Sequence, residues 1–367
     1  MTDQNPSAFE FRILLVAPNW LGDAVMFSAL IEFLHQRRIL PDGTQLTLGL
    51  AVRPAWAPLF KDDPRLSFLV PVLKPGRHSG LLGGFRLGAD FRALNLDAVV
   101  LGPPSLRFGL AAFFSGANLR IGYSGDGRGM LLTHGAKILQ RGHRHHSDEL
   151  VQLGKNLFQA LGWGEHDFNQ ADVAATLPGC LEIQPTASSS EAPLWVFAPG
   201  ATYGSAKSWP LDRAVEFARQ AIEERKIRLV VVGDASAANY ASELIKALSR
   251  QGESQLNGSA GIVDLTGQTD LTQVTGVIKS CEVFVGNDSG LMHLSGALGI
   301  PTLGIFGSSN PHWTSPQGSR TAFVVASGFE CHPCYLKTCN QKEFCLDTID
   351  SGQIMAAVDK LLDGQGN

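Results

Sequence analysis

Two successive runs of short apolar strands, each strand followed by a helix-forming stretch, constrain this chain more than any other feature. The first strand, Arg12 to Ala17, stops at Pro18, and Asn19, Trp20, Leu21 and Gly22 turn the chain into a helix beginning near Asp23 and ending before Pro41. Strands at Gln45 to Leu50 and ending near Val70 follow, with a helix from about Trp56 between them. A strand at Ala98 to Leu101 and a helical segment from Leu106 to Phe114 continue the alternation. The stretch from Pro178 to Pro193 holds Pro, Thr, Ser and Glu without apolar period, which marks a domain boundary. The pattern then restarts. Strands are expected at Leu194–Ala198, Arg228–Val232, Ile262–Asp264, Val283–Gly286 and, last, Pro301–Phe306. Helices between and after them are expected at Leu211–Glu223, Ala235–Leu248, Leu271–Ser280 and Leu291–Leu298. Strands and helices of these lengths imply an α/β chain of two Rossmann-like domains with parallel sheets facing across a cleft. The expected domains are 1–185 and 186–348, with an amphipathic C-terminal helix in 349–367 packing back on the first domain. Open parallel sheets take ligands beyond the carboxyl ends of their strands, so the loops there are where chemistry is sought.

Bulk properties narrow the class. A length of 367 residues suits two domains. With 44% hydrophobic and 17% charged residues, the composition excludes a disordered chain. The formal net charge of -4, without a long Lys or Arg block, argues against bulk nucleic-acid binding. The opening MTDQNPSAFEF lacks a basic stretch feeding an apolar one, and no uncharged apolar segment reaches about 18 residues, so neither a signal peptide nor a membrane span is expected. Neither half carries G-x-G-x-x-G after its first strand, and G-x-x-x-x-G-K-[ST] is absent, which disfavours dinucleotide dehydrogenases and P-loop nucleotidases.

Three loops hold candidate chemistry. Asp23, beside Gly22, opens the first helix, where its own helix's N–H groups can hold an ionised carboxylate as a positioned proton acceptor; an ordinary N-cap is the competing reading. In Pro199–Pro210, Thr202, Ser205 and the glycine N–H groups can surround a phosphate. Lys207 supplies a fixed ammonium against the charge that a departing diphosphate gains. In Asn287–His293, Ser289 and the N–H groups of Ser289, Gly290 and Leu291 form an anion site at a helix N-terminus. Asp288 suits sugar hydroxyls or a cap, and His293 lies one turn in. The loop Gly307-Ser308-Ser309-Asn310-Pro311 lies after the last expected strand, and Gly267-Gln268-Thr269 occupies the corresponding place after an earlier one. In the first half, Arg107, Arg120, Arg128, Arg141 and Arg144 join His134, His143, His145 and His146 in a basic tract that suits an anionic acceptor or a solvated face.

These motifs resemble glycosyltransferase family 9, the ADP-heptose:lipopolysaccharide heptosyltransferases of the GT-B fold. Four stretches carry the likeness: Ile13–Met26 (ILLVAPNWLGDAVM), Arg120–His134 (RIGYSGDGRGMLLTH), Pro199–Pro210 (PGATYGSAKSWP) and Asn287–Gly307 (NDSGLMHLSGALGIPTLGIFG). The resemblance implies an inverting transfer with Asp23 as base and Lys207 on the donor diphosphate. It places an ADP-heptose donor on Thr202, Ser205, Lys207, Asp234, Thr269, Asp288, Ser289, Gly290 and His293. An anionic lipopolysaccharide inner-core acceptor would meet Asn19, Gly22, Arg107, Arg120 and Arg128. It also implies catalysis without a metal cofactor and a place at the cytoplasmic face of the inner membrane. Relatives often carry a charged stretch where this chain has Ala235-Ser236-Ala237-Ala238-Asn239, which leaves Asp234 as the candidate ribose contact. Ser205 stands where a proline is common. Other readings are a GT-B transferase with a different nucleotide sugar or acceptor, a non-catalytic sugar-nucleotide binding protein, and a nucleotide-sugar epimerase.

One cluster lies outside this scheme. Cys331, Cys334, Cys339 and Cys345 fall in one Pro-containing stretch, and the first pair has the spacing of a structural zinc or iron–sulfur ligand set. The alternatives are a structural metal site and unliganded thiols that pack the loop or pair as a disulfide.

Overall fold

A computed structural model of the chain describes residues 9–138, 140–164, 173–184, 192–200, 203–250 and 261–364. It divides into two compact units, Met1–Arg141 with His146–Gly179, and Gly142–His145 with Cys180–Asn367. The division falls a few residues before the expected boundary.

The first unit is built on strands β1 (Glu10–Val16), β2 (Gln45–Val52), β3 (Phe68–Pro71), β4 (Ala98–Leu101), β5 (Leu119–Tyr123) and β6 (His134–Ala136). They form one parallel sheet in the order β3-β2-β1-β4-β5-β6. Helices α1 (Leu21–Met26), α2 (Ser28–His35), α3 (Gly83–Arg92), α4 (Leu106–Phe114) and α5 (His146–Ala160) belong to this unit. Ile13 to Val16 are buried without alternation, as expected of a strand covered on both faces. One core lies where Leu14, Val16, Val99 and Leu101 of the central strands meet Leu87 and Phe91 of α3 and Phe108 of α4.

The second unit repeats the plan. Strands β7 (Leu194–Ala198), β8 (Arg228–Val231), β9 (Gly261–Asp264), β10 (Val283–Asn287), β11 (Thr302–Phe306) and β12 (Thr321–Val325) form a parallel sheet ordered β12-β11-β10-β7-β8-β9. Its helices are α6 (Leu211–Arg225), α7 (Ala238–Arg250), α8 (Leu271–Lys279), α9 (Gly290–Ala297), α10 (Pro311–Thr314) and α11 (Ser351–Leu362). Counted within each unit, both sheets run 3-2-1-4-5-6, the doubly wound order. Strand direction of travel reverses between β1 and β4, and between β7 and β10, and the crevice beyond those strand ends is where such sheets take ligands.

The structure corrects several expectations. The C-terminal helix does not return to the first unit: Ile354, Met355, Val358 and Leu361 complete the second unit's core, and α11 packs on α6 and β12. Asp350 starts it with a capping box, accepting from the Gln353 N–H at 2.8 Å while its own N–H donates to the Gln353 side chain at 2.9 Å. Trp209, fully buried, donates from Nε1 to the Ile349 carbonyl at 3.0 Å and ties the approach to α11 to the same core. The helix expected from Trp56 is only a short turn, Ala57–Leu59, hemmed by Pro54 and Pro58. The first long helix breaks at Phe27 into α1 and α2. Pro301–Phe306 is not the last strand, since β12 follows it. Helix α3 forms despite three glycines because Gly84 and Gly88 face α4: a Cβ at Gly84 would meet the Arg107 carbonyl at 2.9 Å, and one at Gly88 the Phe114 Cβ at 2.6 Å.

Ile354→Ala should therefore lower the chain's stability by about 2–5 kcal/mol, the ordinary cost of truncating a fully packed core side chain. Urea unfolding checks it; an unchanged midpoint would remove α11 from the second unit's core.

Candidate active site

In the second unit, the two loops at the point of strand reversal meet through one ion pair. Lys207 follows β7 in a short turn, Ser205–Lys207, and Asp288 follows β10. Lys207 Nζ lies 2.5 Å from Asp288 Oδ2, with side chains 17% and 6% exposed. His293, one turn into α9, brings Nε2 to 3.6 Å from Asp288 Oδ1, and the Thr314 hydroxyl lies 3.4 Å from Oδ2. Burial alone would raise the Asp288 carboxyl, but the His293 imidazole and the Lys207 ammonium beside it hold it well below the usual carboxylate range. Beneath the pair, the Asn287 amide donates to the Pro199 carbonyl and locks the end of β10 to the end of β7.

The loop before Lys207 is held by close backbone approach. Gly204 has φ +156°, and a Cβ there would stand 2.3 Å from the Lys337 carbonyl oxygen, so only glycine fits. The Ala206 N–H donates to that same oxygen at 3.0 Å. The Tyr203 ring lies 5.2 Å from Lys207 Nζ, and its hydroxyl donates to the Tyr335 carbonyl at 2.8 Å. Ser205 is exposed on the turn; Thr202 lies outside the described residues.

Several polar groups on the loops after β10 and β11 are left open. Ser289 is the N-cap of α9, yet its hydroxyl makes no cap bond. Ser289 Oγ, Ser308 Oγ, Ser309 Oγ, Asn287 Oδ1 and His293 Nδ1 are buried with no hydrogen-bond partner among the described residues. Buried hydroxyls left open at a helix N-terminus form a cradle for an anion, beside an ammonium that can neutralise it. Gly290 begins α9 and leaves its N–H at that cradle. Asp234 and Thr269 lie farther along the same edge, after β8 and β9. Asp234 caps its own turn, accepting from the Ser236 N–H at 2.9 Å, and Thr269 precedes the Asp270 cap of α8.

In the first unit, Asp23 is the third residue of α1, not its cap; Trp20 holds the cap position and stands exposed. Asp23 is half-buried, and among the described residues no side-chain hydrogen bond or ion pair ties its carboxylate. The expectation that its own helix pins it is thus corrected, and it is free to meet a hydroxyl. Gly22 precedes it in α1. The Asn19 carbonyl accepts from Trp56 Nε1 at 3.0 Å and Arg53 Nη1 at 3.3 Å, joining the loop after β1 to the loop after β2.

The arginines divide. Arg128 has no exposed surface, and its guanidinium donates to the carbonyls of Tyr123, Pro103 and Ser105. Burial pushes its pKa down to about 10. It braces the loops after β4 and β5 and does not present itself to an acceptor. Arg120 lies at the opening end of β5 and donates to the carbonyls of Leu131 (2.8 Å) and Ala117 (2.7 Å), away from the strand ends that Asp23 follows. Arg107, at the start of α4, is the one of the three that reaches the ligand edge. There it joins two residues that sequence reasoning missed. Burial lowers the pKa of Lys74, and the like charges of Arg107 and Arg53 lower it further, so these cations share one neighbourhood. Each of the three follows the end of a strand, β2, β3 or β4, which is the signal that could have found them.

The four cysteines line one pocket with Ala206, Ser308 and Phe344. All are free thiols. Burial, then the neighbouring thiols, push Cys345 up to about 11, which keeps it protonated at neutral pH. Among the described residues no group of three or more His, Cys, Asp or Glu side chains is gathered to hold a metal ion. Nor is any described helix long and apolar enough to cross a membrane.

Comparison with known proteins places this geometry. The profile of glycosyltransferase family 9 (heptosyltransferase) matches residues 85–344. Lipopolysaccharide heptosyltransferase 2 of Escherichia coli K12 is 30% identical over 326 residues, covering 85% of this chain and 87% of that protein. The Salmonella typhimurium protein of the same name is equally similar, at 30% over 326 residues. The solved structure of E. coli ADP-heptose lps heptosyltransferase II superposes with a TM-score of 0.74 at 25% identity, over 96% of this chain and 98% of that one. A family 9 glycosyl transferase from Veillonella parvula shares the fold, with a TM-score of 0.75 at 19% identity. Two parallel-sheet Rossmann-like domains define a GT-B transferase. The chain belongs to glycosyltransferase family 9, and it is an enzyme of the heptosyltransferase type.

The Lys207–Asp288 pair has a pH signature. A carboxyl held low when folded contributes stability above its unfolded pKa and loses that contribution as pH falls toward the folded value. Asp288→Asn should cost about 1–3 kcal/mol at neutral pH, less than for a fully dry pair because Lys207 keeps some solvent. The deficit should shrink below about pH 4. Urea unfolding of both proteins across that range checks it; a deficit that grows in acid would contradict it.

Proposed function

We propose that this enzyme transfers heptose from ADP-heptose to the inner core of lipopolysaccharide. The observation that carries the reading is the Lys207 ammonium on Asp288 at the β7–β10 reversal, with buried open hydroxyls at Ser289 after β10 and at Ser308 and Ser309 after β11. That arrangement suits a sugar linked to a diphosphate better than a neutral sugar, because the negative charge grows as the sugar departs. Relatives covering most of the chain are named for heptose transfer and lipopolysaccharide, and the solved E. coli structure for ADP-heptose, which supports the donor and acceptor classes.

In this scheme the second unit binds the donor. Lys207, the α9 N-terminus and the Ser205 and Ser289 hydroxyls receive the diphosphate, while Asp288 and His293 turn to the sugar hydroxyls. Asp234 and Thr269 serve the nucleoside end. In the first unit, Asn19 and Gly22 shape the acceptor loop, and Arg53, Lys74 and Arg107 draw the anionic acceptor. Arg128 supports that loop from beneath. An acceptor hydroxyl gives its proton to Asp23 as its oxygen attacks the anomeric carbon, the C–O bond to the diphosphate breaks, and ADP leaves with the bonding pair. The configuration at the anomeric carbon inverts, and no step passes through a metal.

The two key residues should fail differently. Asp23→Asn should lower kcat by about 10²–10⁴-fold with ADP affinity intact, as loss of a general base does. Lys207→Ala should weaken ADP binding by about 10- to 100-fold, the worth of one charge-assisted contact. Steady-state kinetics with saturating acceptor and calorimetry with ADP separate them. Near-normal kcat in the first variant would remove Asp23 as base; unchanged affinity in the second would move Lys207 off the phosphate.

A further inference from the structure

Helices α3 and α4 of the first unit carry an apolar outer face that the proposed reaction does not use. On α4, Leu106, Leu110, Phe113 and Phe114 recur at helical spacing, and Phe113 is 48% exposed. Leu82 and Phe85 extend the surface over α3, with the Phe85 ring 4.7 Å from that of Phe114. In the turn before α3, Leu81 stands 95% exposed. Singly scattered surface leucines need no explanation; a contiguous patch of this kind marks an interaction site.

Its rim is cationic. Phe85, Ala89 and Arg92 share one side of α3, Arg86 is exposed next to Phe85, and the Arg120 guanidinium sits 5.6 Å over the Phe113 ring. Between Leu73 and Arg120 the chain has six basic and two acidic residues, although its formal net charge is -4. Both acids are engaged: Asp90 with Arg77 (2.8 Å) and His78 (2.9 Å), Asp97 with the Arg12 backbone N–H (2.8 Å). The patch therefore pairs protruding apolar side chains with uncompensated positive charge.

We propose that this face docks the enzyme on an anionic phospholipid bilayer, with Leu81, Leu82 and Phe85 entering the headgroup–acyl boundary and Arg86 and Arg92 against lipid phosphates. A bilayer meets both halves of the surface at once: apolar depth for the side chains and negative charge for the rim. A second copy of the chain would instead set basic rim against basic rim. Topology adds a reason. In a doubly wound sheet the helix before each strand starts at the carboxyl edge, so the Leu81–Leu82 and Leu106 ends lie on the edge that carries Asp23, Arg53 and Lys74. The inference does not depend on the identity of the acceptor.

Co-sedimentation of the full chain with vesicles lacking lipopolysaccharide tests it apart from the proposed reaction. Binding is expected to equimolar phosphatidylcholine and phosphatidylglycerol, and not to phosphatidylcholine alone, with release at about 1 M salt. The double variants Leu81→Ser with Phe85→Ser, and Arg86→Glu with Arg92→Glu, should each weaken binding by about tenfold or more. Circular dichroism and a urea-unfolding midpoint like the parent's verify that they fold. Equal binding to neutral vesicles, no binding to either kind, or variants that bind like the parent would overturn the proposal. So would a dimer in sedimentation velocity that the Leu81→Ser, Phe85→Ser variant dissociates, which would give the face to a second copy.

Discussion

A single ion pair, Lys207 to Asp288, joins the two loops on which the second unit's chemistry depends. An ammonium beside open hydroxyls would attract any anion, and an isolated carboxylate this deep would sooner take up a proton than stay charged. Together they keep both charges in place. His293 and Thr314 add the second set of contacts to the carboxylate, so Lys207 is not its only support. In the proposed reaction this matters because the lysine can move to a diphosphate without abandoning a bare charge. Asp288, left with His293, can then turn to the sugar.

The pair exists because of sheet topology. Lys207 and Asp288 lie 81 residues apart, and they meet because β7 and β10 are adjacent strands whose following loops leave on opposite sides. The first unit has the same order, and there the corresponding loops carry Asp23 after β1 and Arg107 after β4. One plan, used twice, thus carries a buried ion pair at one sheet's strand ends and, in the proposed reaction, the proton acceptor at the other's. The difference lies in the loops. Short glycine-bearing turns hold the lysine and serine groups against backbone, as Gly204 does against Lys337. The connections after β2, β3 and β4 bring separate cations together.

Central strands were legible in the amino-acid pattern because burial on both faces demands unbroken apolar runs, as in Ile13–Val16 and Leu194–Ala198. Elements with mixed surroundings were not. Helix α3 hides behind glycines whose purpose is close contact with α4, and β12 is an edge strand of half-buried residues. Helix α5 follows a basic tract that masks its start, though Leu150, Leu153 and Leu157 mark its buried stripe. The candidate site was legible where a residue sits in the strand-to-helix connection, as Lys207 and Asp288 do, or in the first turn of the helix that follows, as Asp23 does. Arg53, Lys74 and Arg107 also follow strand ends, but nothing local says that the three converge, because that depends on which strands are neighbours in the sheet. Nor does local sequence reveal that Arg128 is spent on carbonyls. The C-terminal helix shows the same limit, since an amphipathic stripe specifies a buried face without saying which core receives it.

The central claim is that Lys207 is shared between Asp288 and the donor's phosphates. Calorimetric titration of ADP into Asp288→Asn tests it most directly, because ADP has the phosphates and lacks the sugar that Asp288 would hold. If the carboxylate competes for the lysine and repels the phosphates, the variant should bind ADP several-fold more tightly than the parent enzyme. Equal or weaker binding would contradict the claim and leave Asp288 as a structural support for the loop.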